Sequence, residues 1–226
     1  MTLSTIRQLD RLILGIVVAV LVLTVGIYFY STDFFTLTYA REDGIVEYGT
    51  AIFLFLASVV LFGNARSLKA RGLTLAFGCT LFYGLLFFFA AGEEISWGQR
   101  IFGWETGETF QEINKQQETN LHNLIVPTPW GDFHLAKTLF GPILTLILLL
   151  YLAVLPLLYP RVGWIKSTAD RIAAPVPSTR HAVLAVAASL VIAAIDVSRK
   201  WEVYELVFSL LATSIFLLPQ NRDHTT

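Results

Sequence analysis

Cysteine occurs once in the 226 residues, as Cys79, so the chain forms no internal disulfide and no disulfide scaffold. Charged residues are scarce at 15%, against about a quarter in average soluble domains. That scarcity, with 55% apolar residues and a mean hydropathy of +0.63, excludes a soluble enzyme and a disordered tail. Proline (8) and glycine (15) are too few and too irregular for a collagen-like fibre. No run of five or more basic residues occurs and the formal charge is −1, which argues against a nucleic-acid partner.

What is present is a series of apolar stretches approaching the ~20 residues needed to cross a ~30 Å hydrocarbon core. They predict an all-α, polytopic membrane protein forming one transmembrane domain over 1–226. Its six spans are expected near 12–30, 45–63, 73–91, 137–159, 181–197 and 203–219. The first is too long for the apolar region of a signal peptide and lacks a small-residue cleavage site after it. The fifth is rich in alanine, which suits a helix packed closely among others.

With the N-terminus in the cytoplasm, the inside segments hold ten of the sixteen Lys and Arg residues, so both termini are expected inside. The same arrangement puts fourteen of seventeen acids outside, so any chemistry is expected at the outer face. No span has Lys, Arg, Asp or Glu near its centre, which disfavours a transporter or channel.

The long external segment 92–136, between the third and fourth spans, interleaves Trp97, Ile101, Phe102, Trp104, Phe110, Ile113, Leu121 and Leu124 with charges. Its periodicity predicts two amphipathic helices lying on the outer membrane surface, broken at Gly103 and Gly107. Glu93 and Glu94 follow the third span at once, and ionisable groups at that depth are functional candidates by default. Asn114, Glu118 and His122, at i, i+4 and i+8, would share one side of a helix, and a Glu and a His one turn apart can ligate one metal. Glu47 and Glu205 lie one turn inside their spans, deeper than helix capping explains.

The runs Glu93-Glu94-Ile95-Ser96-Trp97-Gly98-Gln99-Arg100-Ile101-Phe102-Gly103 and Glu118-Thr119-Asn120-Leu121-His122-Asn123 resemble a signature of bacterial multispan membrane proteins of no assigned activity. That resemblance implies a bacterial inner membrane. Glu42, Asp43 and Glu47 before the second span are similar to acids of the alkaline ceramidase group of membrane hydrolases. That group also binds zinc through three histidines, two of them in the last span. This chain has only His122, His134, His181 and His224, none of them in 203–219, so such a zinc site is not expected.

Three functions follow from these residues. The first is a non-catalytic subunit or assembly factor of a membrane complex, whose partners are the lipid bilayer and other membrane-protein subunits. The second is a membrane-embedded hydrolase or transferase acting on a lipid or lipid-linked substrate. Glu93, Glu94, Glu118 and His122 would then be catalytic, and Glu94, Glu118 and His122 would hold a divalent metal. Arg100, Trp97, Asn123, Glu47 and Glu205 would contact the substrate. A transporter or channel is the third.

Overall fold

The structure, a computed structural model, describes residues 2–121 and 123–226. Helix α1 spans Leu3–Tyr30, α2 Ile45–Ala70 and α3 Thr74–Glu94. These three are long and apolar enough to cross a membrane. The segment after α3 contributes two short helices, α4 (Gln99–Phe102) and α5 (Glu108–Ile113), then the antiparallel strands β1 (Ile125–Thr128) and β2 (Gly131–His134). Helix α6 (Leu144–Leu158) follows, then α7 (Gly163–Arg171), whose axis is bent 118° from it. Taken as one broken span, that pair would be a fourth crossing. The chain closes on α8 (Thr179–Ala194) and α9 (Lys200–Leu217).

The packing follows from where the apolar stripes fall. On α1 the buried positions are Ile6, Asp10, Ile13, Val17, Leu21 and Thr24, recurring every three or four residues, which is one helical face. Helix α9 is buried from Ser209 through Phe216 without a break, so it is the centre of the bundle, with α1, α2 and α8 around it. The small residues Ala182, Ala185 and Ala188 let α8 approach closely. Hydroxyl and amide groups tie the helices across these contacts: Thr213 donates to the Phe53 carbonyl (2.8 Å), Asn64 to the Phe216 carbonyl (3.2 Å), and Ser189 pairs with Tyr204 (2.9 Å). The outward sides of the helices carry exposed Val22, Phe29, Ile52, Phe82 and Leu190, a surface that suits lipid rather than water.

Helix α8 is shorter than a span of its own. Sixteen residues rise about 24 Å, short of a ~30 Å core. Irregular backbone at membrane depth is tolerated where protein surrounds it. The non-helical residues between α8 and α9 include Ile195, which is buried.

The segment after α3 is more broken than the two amphipathic helices expected of it, with helices of only 4 and 6 residues. Ser96, Trp97 and Gly98 are consecutive left-handed residues (φ 46°, 55° and 78°), which turn the chain sharply after α3. Gly103 ends α4 in the same conformation (φ 71°). Beyond α5, the Asn114 side-chain oxygen accepts from the backbone N–H groups of Gln116 (2.9 Å) and Glu118 (3.3 Å). Such local bonds offer the backbone an alternative to a helix, and Gln117 is left-handed (φ 58°). Asn114 and Glu118 therefore do not stand one above the other on a helix.

Contacts sort the connections into two ends. At one end lie 41–47, 92–124 and 196–205. At the other, Leu68 packs on Ala76 and Ala173, Arg71 donates to the Asp223 carbonyl (3.1 Å), and Val176 N–H donates to Asn221 (3.0 Å). The second end gathers the segments carrying Arg66, Lys69, Arg71, Arg161, Lys166, Arg171, Arg180 and Arg222. The first gathers most of the acids.

Candidate functional site

The acidic end is built around the break after α3. Gly92 lies flat against the Trp97 ring, and a Cβ there would sit 2.8 Å from ring atoms. That close approach lets Trp97 Nε1 donate to Glu93 Oε1 (2.8 Å), while the ring edge meets Phe88 and Phe89. The other carboxylate oxygen of Glu93 accepts from the backbone N–H of Leu121 (2.5 Å). Glu93 is thus buried, and it pins the returning loop to the end of the span.

Glu118 is the hub of that loop. One oxygen accepts from the Ser96 hydroxyl (2.5 Å) and the Asn120 amide (2.9 Å), and the other accepts from Arg100. Asn114 completes the net by donating to the Asn120 carbonyl (2.8 Å) and side chain (2.9 Å). Arg100 spans the segments, contacting Asp43 as well as Glu118, with Glu42 at 3.7 Å. Arg199 closes the ring, 2.9 Å from Glu42 and 3.7 Å from Glu202. Four separate stretches of chain meet here: 42–47, 93–100, 114–121 and 199–205.

The acids of the Glu93-Glu94 pair go to different places. Glu93 joins the loop that carries Glu118, whereas Glu94 meets Glu202 and Glu205, with carboxylate oxygens within 4.8 Å of one another. Glu47 lies on the neighbouring helix and accepts from the Asp43 backbone N–H (2.7 Å). Glu94, Glu202 and Glu205 are the residues whose oxygens could hold a divalent ion, since hard cations take carboxylate ligands. Three carboxylates this close cannot all ionise without strong repulsion, which a cation or a proton between them would offset.

Glu118 has its oxygens committed to Ser96, Asn120 and Arg100, and among the described residues the acids that gather with Glu94 are Glu202 and Glu205. His122 lies outside the described residues. Trp97 is packed on the end of α3, and Asn123 donates to Gln116, which donates to Glu42. Several residues that hold the loop had no signal in the sequence beyond being polar. Gln99 accepts from Thr119 N–H (2.8 Å) and donates to Thr106 (2.5 Å). Arg199 and Asn120 are of the same kind.

A second polar cluster sits at the basic end. Arg180 binds both oxygens of Asp10 (3.0 and 2.5 Å), and Ser214 donates to Asp10 Oδ1 (2.7 Å). His181 accepts at Nδ1 from the Ser178 backbone N–H (3.0 Å), which leaves Nε2 protonated to donate to Ser214 (3.0 Å). Asp10, His181 and Ser214 have the composition of a hydrolase triad with the wrong direction of donation. His181 has no free nitrogen to take the serine proton, and all three side chains are inaccessible. The cluster instead clamps α1, α8 and α9 together.

Comparison of the chain with protein-family models, curated proteins and solved structures finds no match.

Proposed function

We propose that this protein is a six-span bacterial inner-membrane protein with both termini cytoplasmic, acting as a non-catalytic subunit or assembly factor. Its acidic outer end would dock a basic segment of another membrane protein. One observation carries the reading. The side chains of Glu93, Ser96 and Glu118 are spent on hydrogen bonds within the 93–121 segment, with Ser96 4%, Glu118 6% and Glu93 7% exposed. A nucleophile or general base needs a face turned to substrate, and these groups have none. What remains at this end is an acidic surface held rigid by the loop, a form suited to recognition by opposite charge.

The cavity lined by Leu148, Leu152, Ala185, Tyr204 and Phe208 is apolar and holds only about 10 Å³, while the larger groove of about 580 Å³ lined by Thr74, Gly78, Cys79, Phe82 and Tyr83 borders none of the acidic-end residues. The test is native electrophoresis of mildly solubilised membranes. The chain should migrate in a complex well above its own 25.2 kDa. The triple change Glu94→Gln, Glu202→Gln and Glu205→Gln should release it without unfolding it. A chain that migrates alone, and turns over a lipid-linked substrate only with a divalent cation, would replace this reading with the hydrolase or transferase.

A further inference from the structure

In the sequence, Arg161, Lys166 and Arg171 serve only to orient the chain. The structure places them on and beside α7, a helix with two unlike faces. One face docks on the body. Ala169 is buried, Tyr159 and Val176 pack with it, and Asp170 accepts from the Tyr159 hydroxyl (2.8 Å) and the Asn221 amide (3.2 Å). The other face carries Trp164, Ser167, Thr168 and Arg171 at i, i+3, i+4 and i+7, all exposed, with Trp164 at 72%. Arg161, just before the helix, and Lys166, on its other side with the ammonium 5.9 Å from the Tyr159 ring centroid, are also exposed. The one acid of the helix is therefore turned inward, and the outward stripe presents an indole, two hydroxyls and the Arg171 charge, with no acid among them.

The direction of α7 matters as much as its charge. If α6 runs across the bilayer, a 118° bend brings α7 to within about 30° of the membrane plane. Ala173, just past α7, packs against Leu68 and Ala76, at the inner ends of α2 and α3, so α7 lies at the level where those spans leave the hydrocarbon. A tryptophan beside Lys and Arg at that depth has the chemistry of an interfacial helix on anionic headgroups.

We propose that α7 is a lipid-binding surface, lying in the headgroup layer at the basic end of the bundle and recognising anionic phospholipid. Trp164 sits among the acyl–headgroup boundary groups, while Arg161, Lys166 and Arg171 meet lipid phosphates. This depends on the chain spanning a membrane and not on what the acidic end docks.

The test uses the full chain in lipid nanodiscs. In a Cys79→Ser background, a nitroxide on Thr168→Cys should be shielded from an aqueous nickel chelate, compared with one on Thr109→Cys at the opposite end. Native mass spectrometry should show phosphatidylglycerol retained over phosphatidylcholine. The combined change Arg161→Gln, Lys166→Gln and Arg171→Gln should lower that preference roughly tenfold or more, with the melting temperature unchanged. A label at 168 as open to the chelate as that at 109 would overturn the proposal. So would a lipid preference that survives loss of the three charges, or shielding that appears only in native membranes, where a partner protein would be the cause.

Discussion

Replacing Glu118 with alanine separates a structural hub from a catalytic acid. In the native loop its carboxylate accepts from Ser96, Asn120 and Arg100. The Ser96 hydroxyl and Asn120 amide are almost wholly shielded, at 4% and 1% exposure, so no water replaces the lost acceptor. Each orphaned donor costs about 1–3 kcal/mol. Arg100 has a side chain 36% exposed and retains Asp43, so its share is at most about 1 kcal/mol. Glu118→Ala should therefore destabilise by about 2–7 kcal/mol, which lowers the melting temperature of a chain this size by roughly 5–25 °C. Glu118→Gln keeps the shape and one acceptor oxygen, so about half of that loss is expected. The assay is thermal unfolding in detergent, followed by tryptophan fluorescence. A Glu118→Ala protein as stable as wild type, yet functionally dead, would refute the hub. Removing a catalytic carboxylate often leaves stability intact or raises it.

Other changes probe the remaining contacts. Gly92→Ala forces a Cβ into the Trp97 ring and should cost about 1–3 kcal/mol in the same unfolding assay, with Trp97→Leu restoring part of it. Arg180→Ala strands the buried Asp10 carboxylate and should cost about 3 kcal/mol, whereas adding Asp10→Asn should recover much of that; additive losses would show the pair uncoupled. For orientation, an impermeant maleimide on intact cells should label a cysteine at Thr109 and not one at Ser67 or Thr168, in the Cys79→Ser background. Labelling at 67 would invert the topology and put the acidic end in the cytoplasm.

The membrane class and the helical architecture were legible in the sequence, because transfer of apolar residues from water is close to additive and long runs declare themselves. The stripe on α1 and the alanine face of α8 could likewise be read, since helical period and residue size are local properties. Reading α9 as the bundle centre required the fold. Its burial on all sides depends on which helices surround it, and nothing in Ser209–Phe216 alone names those neighbours.

At the acidic end the sequence identified the right stretches and not their pairings. Glu93 and Glu94 are adjacent, but successive helical residues point about 100° apart, so one meets the loop and the other meets α9. The bend after α3 depends on left-handed Ser96 and Trp97, a conformation neither residue type signals. The clamp of Asp10, Arg180, His181 and Ser214 joins residues up to 204 positions apart. Only tertiary structure brings such groups together, because a buried charge finds its partner in space rather than along the chain.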